Sequence, residues 1–123
     1  MLRLDEVAEH YGLKPDTLRR KIKEGALPAI KIGRTYRLKW TDVWSCEVGR
    51  MPRGAGRARY REPLLSKKAV AEALSVSVRS VERWIEAGLP TRNVFGAVRF
   101  NPHDVTDWLR GALDLDLPGE WWR

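Results

Sequence analysis

Residues 5–38 read DEVAEHYGLKPDTLRRKIKEGALPAIKIGRTYRL, and this stretch decides how the chain folds. A short helix and a tight turn lead to Pro15, which occupies the first position of a second helix, where its missing N–H costs nothing. Within that helix Leu18 and Ile22 are spaced i and i+4 for burial. Gly25 ends it in the left-handed conformation that glycine tolerates best. Apolar and polar residues then alternate. Ile30, Ile32, Tyr36 and Leu38 are expected to face inward and Lys31 and Arg37 outward, with Gly33, Arg34 and Thr35 at the turn of a β-hairpin. Val43 and Trp44 close the small core from a third helix.

The pattern occurs twice. Val7-Ala8-Glu9 aligns with Val70-Ala71-Glu72, and the match continues through Leu13 and Val76, Leu18 and Val81, Arg20 and Arg83, Ile22 and Ile85, and Gly25 and Gly88. After a one-residue deletion Leu27-Pro28 matches Leu89-Pro90, and Tyr36-Arg37-Leu38 matches Val98-Arg99-Phe100. Such self-similarity signals a repeated structural unit. In the second copy Ser66 and Ser77 are placed to cap two helices, and Asn101-Pro102 to start a third. Val94 to Phe100 is expected as its hairpin, and Val105, Trp108 and Leu109 as its closing residues. Most of the tryptophans read as bulky filler in modules too short to bury much else. The expected organisation is a first module over 1–48, a linker over 49–63, a second module over 64–113 and a tail over 114–123. The expected fold class is mainly α with small β-hairpin wings, arranged as tandem winged helix-turn-helix domains.

Composition narrows the function classes. Hydrophobic residues at 43% and charged residues at 32% fit a globular chain. No apolar run approaches the roughly 18 residues of a membrane helix, and the N-terminus lacks the long apolar stretch of a secretion signal, so a cytoplasmic protein without membrane contact is expected. Cys46 is the only cysteine and reads as inert packing, which excludes an intramolecular disulfide. His10 and His103 lie in different modules, without the spacing of a metal site, and read as surface or capping groups. No phosphate-binding glycine loop and no nucleophile with its base is present, so no enzyme, no cofactor, no metal and no small-molecule ligand is expected.

The net charge of +7 is unevenly spread. Residues 1–48 carry an excess of +3, residues 49–63 of +4, and residues 64–123 of 0. A basic first half suits a polyanion, because neutralising phosphates releases counterions. With about 100° per residue in a helix, Arg20 points nearly opposite the buried Leu18 and Ile22, flanked by Asp16, Thr17 and Lys23, with Arg19 also on this basic helix. Such side chains reach guanine edges or phosphates. The second copy exposes Arg79, Ser80 and Arg83, next to Ser77, but has Glu82 and Glu86 in place of Arg19 and Lys23. Arg34 stands at the first hairpin tip, where Ala97 holds the matching place in the second; Arg37 and Arg99 are the paired hairpin arginines. The first module is therefore expected to dominate affinity and the second to contribute register and selectivity. The linker shows no helical or strand period. It reads either as a solubilising tether or as an arm whose Arg53, Arg57, Arg59 or Arg61 follows the DNA backbone or enters a narrow minor groove.

The two quoted copies, 5–38 and KAVAEALSVSVRSVERWIEAGLPTRNVFGAVRF at 68–100, resemble the excisionase and MerR-like winged helix-turn-helix superfamily, which includes small phage regulators and terminase DNA-binding domains. That resemblance implies a second helix in the major groove and a wing on the adjacent backbone or minor groove. It nominates Thr17, Arg20, Arg34, Ser80 and Arg83. Unlike the pattern of MerR-type regulators, no long C-terminal dimerisation helix or effector domain is expected, and unlike a single-module excisionase two modules are expected. The resemblance implies a sequence-specific double-stranded-DNA-binding protein of a mobile element or phage, acting as an excisionase-like recombination directionality factor, a transcription regulator, or both. The alternatives are a terminase-like DNA-packaging adaptor and a winged-helix protein adaptor that binds no nucleic acid. In the tail, Trp121 and Trp122 either fold back onto the second module or form an apolar patch for a recombinase or another copy of the chain.

Overall fold

In the computed structural model, which describes residues 1–123, the chain divides into two units, Met1–Pro63 and Leu64–Arg123. The first opens with a strand, β1 (Leu2–Arg3), that runs directly into helix α1 (Leu4–Tyr11). Helix α1 ends at Gly12, whose φ of 62° lets Leu13 N–H turn back to the Ala8 carbonyl at 3.0 Å. Pro15 then opens α2 (Pro15–Lys23) as its first residue. At the far end Gly25 N–H donates to the Ile22 carbonyl and Ala26 N–H to that of Lys21, the paired bonds of a Schellman cap, with Gly25 at φ 81°. Leu18 is fully buried, as are Val7, Tyr11, Leu38 and Val43. Each such side chain contributes about 2 kcal/mol by leaving water.

Strands β2 (Ile30–Ile32) and β3 (Thr35–Leu38) form the hairpin, and β1 adds to its other edge, giving an antiparallel sheet of order β1-β3-β2. The strand β1 has no sequence counterpart to the alternation that marks β2 and β3; it is too short to show a period. The hairpin corrects one expectation. Ile32 pairs with Thr35, so the loop holds only Gly33 and Arg34. Gly33, at φ 62°, supplies the positive φ that the first position of a type II′ turn needs. A three-residue turn would have set Ile30 and Ile32 opposite Leu38 and Tyr36. The two-residue turn shifts the register by one and sets them opposite Arg37 and Thr35, off the side on which Leu38 enters the core. Ile30 and Ile32 are therefore exposed, and Arg37, expected outward, is half-buried.

Helix α3 (Trp40–Ser45) buries Val43 and Trp44, and a short strand β4 (Glu47–Val48) follows. His10 is a second correction. It is 4% exposed rather than on the surface, with its ring edge-on to Tyr11 and Trp40 at centroid distances of 4.8 and 5.0 Å. The Tyr11 hydroxyl lies 2.6 Å from Glu47 Oε2 and 2.8 Å from the Val43 carbonyl oxygen, able to donate to either. Residues 54–61, read as lacking any helical period, form a 3₁₀ helix (Gly54–Arg61). The indole N–H of Trp44 donates to the Tyr60 carbonyl at 3.1 Å and ties this segment to the first core. A period of three over so few residues, with arginines at three of the eight positions and only Ala55, Ala58 and Tyr60 between them and the glycines, leaves no apolar stripe to read.

The second unit places α4 (Lys67–Leu74) and α5 (Val78–Glu86) in succession, then strand β5 (Asn93–Val94) and α6 (Pro102–Leu113). All three helix starts are capped as their residue types predict: Ser66 accepts from Ala69 N–H, Ser77 from Ser80 N–H, and Asn101 from His103 and Asp104 N–H. Gly88, at φ 117°, and Leu89 repeat the paired capping bonds, to Ile85 and Trp84. Val70, Ala71, Val81, Leu89, Phe100, Val105 and Leu109 form the core. The second hairpin is shorter than expected. Val94 and Ala97 exchange both backbone bonds around Phe95 and Gly96, which have φ 50° and 84°, as a type I′ turn requires. Gly96, not Ala97, therefore stands where Arg34 does in the first hairpin. Phe100 bridges to Leu65 instead of extending the hairpin. Trp121 packs against the core and donates its indole N–H to Thr106 Oγ1 at 2.8 Å, while Trp122 meets the ring of His103, which is likewise partly covered rather than a surface group.

Candidate nucleic-acid interface

Helix α2 carries its cations on two faces because of its pitch. Measured from Leu18, Arg20 lies about 200° round the helix, while Pro15, Arg19 and Lys23 fall together at about 60° to 140°. Arg20 accordingly points into solvent, with 63% of its side chain exposed and Glu24 Oε1 3.9 Å from its Nε. Pro15, Arg19 and Lys23 instead form one wall of a cleft of about 510 Å³. The hairpin forms the facing wall through Lys31, Arg34, Thr35, Tyr36 and Arg37, and Arg3, Leu4 and Asp5 line the rest. Six cationic side chains, from Arg3, Arg19, Lys23, Lys31, Arg34 and Arg37, thus border one concavity against the single carboxylate of Asp5. Such a cleft concentrates positive potential and draws polyanions.

The ion pairs here are local and leave charge available. Arg19 pairs with Asp16, three residues away, and both side chains are more than half exposed. Arg3 holds Asp5 at 3.1 Å, and that guanidinium keeps the Asp5 carboxyl below the usual carboxylate range. Exposed pairs of this kind contribute little to stability. Arg37 Nη1 donates to the Tyr36 carbonyl at 2.8 Å, which steadies the guanidinium along β3.

Of the residues nominated from sequence, the structure brings Arg19, Lys23, Arg34 and Arg37 to the cleft and leaves Asp16, Thr17 and Arg20 on adjoining faces of α2. Arg3, Lys31 and Tyr36 were not nominated. Lys31 was legible in the alternation of β2, whereas Arg3 enters only because β1 pairs with β3, Arg3 facing Arg37. Arg53, Arg57 and Arg61 are exposed along the 3₁₀ segment and Arg59 is half-buried, all apart from the cleft lining.

In the second unit Arg79 and Arg83 are exposed on α5 and Ser80 is half-buried. Ser77 spends its hydroxyl as a cap, within 3.0 Å of Ser80 Oγ. Arg99 is half-buried, with Nη1 on the Val98 carbonyl at 2.9 Å, and burial lowers its pKa. The positions matching Pro15, Arg19 and Lys23 hold Val78, Glu82 and Glu86, and Glu82 lies 3.7 Å from Lys67. The helix flank that is cationic in the first unit is apolar and acidic in the second.

A family model described as a helix-turn-helix domain matches residues 1–43, which span α1, α2 and the hairpin and so contain the whole cleft lining. No curated protein and no solved structure matches the chain. No helix is long and apolar enough to cross a membrane.

Proposed function

We infer that the chain is a sequence-specific double-stranded-DNA-binding protein, without a catalytic step of its own, that carries two winged helix-turn-helix modules. The observation that carries this reading is the cationic cleft between α2 and the hairpin, inside the stretch that the helix-turn-helix family model matches. With α2 in the major groove, Arg20 and Thr17 face base edges, while Arg19, Lys23, Lys31 and Arg34 meet the phosphates that wall the groove. The second copy is supported by the alignment and by the matching helix caps at Gly25 and Gly88. Two modules on one chain act as a covalent pseudo-dimer, with recognition helices in successive major grooves roughly 34 Å apart.

The likeness of residues 5–38 to excisionases favours an architectural role at the attachment or promoter sites of a mobile element, as a recombination directionality factor or transcription regulator. A second reading applies to the second unit alone. On its α5 flank Glu82 and Glu86 repel phosphate and Val78 offers it no contact, so this unit contributes through Arg79 and Arg83 or serves as a protein contact. Selection of bound sequences from random duplex DNA at near-physiological salt tests the whole reading. A recovered site with two unlike halves about one helical turn apart is expected. Arg20→Glu should abolish enrichment; enrichment of no sequence by the wild-type protein would refute the reading.

A further inference from the structure

The hairpin leaves two large apolar side chains in solvent, Ile30 at 47% and Ile32 at 55% exposure. They stand at i and i+2 of β2, an edge strand of its sheet, and so share one side of it. They bury little against their own fold, and an exposed apolar pair on a sheet edge is an aggregation liability. Their surroundings are cationic: Arg37 lies opposite Ile30 and Arg34 two residues beyond Ile32 at the turn, while Lys31 projects from the other side of the strand. A ligand suited to this surface presents apolar walls between rows of negative charge. The minor groove of a duplex does so, with deoxyribose C–H groups lining its sides and phosphates along its rims.

We propose that Ile30 and Ile32 form an apolar wedge that enters the minor groove beside Arg34, packs on the sugar wall and base edges, and opens the groove so that the duplex bends. The proposal rests on the DNA-binding reading and adds to it a deformation that phosphate contacts alone do not supply. Cations on the rim release counterions, whereas inserted apolar side chains drive kinking away from the protein-filled minor groove. Bending in turn lets a small protein set the geometry of neighbouring sites.

The test compares the wild-type chain, I30S/I32S and I30V/I32V on one duplex chosen by the selection above. Donor and acceptor dyes at the duplex ends report the bend, anisotropy reports affinity across a salt series, and sedimentation reports the mass of the free protein. I30S/I32S should bind about tenfold more weakly at every salt concentration, with the slope of log K against log salt unchanged, because the contact it loses is apolar. Its complex should be straighter, and I30V/I32V should keep most of the bend. Equal bending and affinity in the serine variant would overturn the wedge while leaving the DNA-binding reading intact. A loss of self-association in the free serine variant would overturn it in favour of contact between copies. A wild-type chain that binds no duplex would refute the DNA-binding reading, and the wedge with it.

Discussion

Removing three cleft cations at once, as R19A/K23A/K31A, separates electrostatic anchoring from everything else the first unit does. All three side chains line the cleft and are exposed, so the fold should survive their loss. Each phosphate contact contributes about 0.9 to the slope of log K against log salt, so three lost contacts flatten it by about 2.7. Asp16 already pairs with Arg19, and if that pair persists on DNA only two contacts are lost and the slope falls by about 1.8. Referred to about 1 M salt, where the electrostatic contribution vanishes, these slopes give a loss of roughly 60-fold to 500-fold at about 0.1 M. Fluorescence anisotropy with a labelled duplex over this salt range measures both quantities, and circular dichroism checks the fold. An unchanged slope, or an equal loss at low and high salt, would show that the cleft does not hold phosphates. The matched change in the second unit, R79A/R83A, should flatten the slope by no more than about 1.8.

Asn101 is fully buried and accepts from two backbone N–H groups, so Asn101→Ala should cost about 1–2 kcal/mol, read as a fall in Tm. Ser75 takes the left-handed cap position, φ 55°, that Gly12 fills in the first unit, and Ser75→Gly should stabilise by up to about 1 kcal/mol in urea unfolding. Burial pushes the Cys46 thiol up to about 11, and burial with the nearby Glu47 carboxylate raises Tyr11 further. Both raised groups favour the folded state while protonated, so their contribution to stability should be constant below about pH 8.5 and decline as pH rises through the alkaline range. The same shift leaves about a hundredfold less thiolate than in the unfolded chain at neutral pH, so native Cys46 should alkylate correspondingly slowly, as mass spectrometry can follow.

The helix pattern was written locally. Pro15, Ser66, Ser77, Asn101, Gly25 and Gly88 act on backbone groups within a few residues, so their types alone disclosed where helices begin and end. Leu18 and Val81 were likewise legible as core because burial follows the helical period. The cationic face of α2 followed from the same geometry. What tertiary structure decided was everything that depends on pairing between distant segments. A one-residue difference in turn length moved Ile30 and Ile32 into solvent, because a strand's side chains alternate and a single slip reverses them all. Arg3 joined the cleft only when β1 paired with β3, and His10 went inside only when α3 brought Trp40 against it. Caps are settled by near neighbours along the chain, whereas register and burial are settled by partners that the chain reaches only after folding.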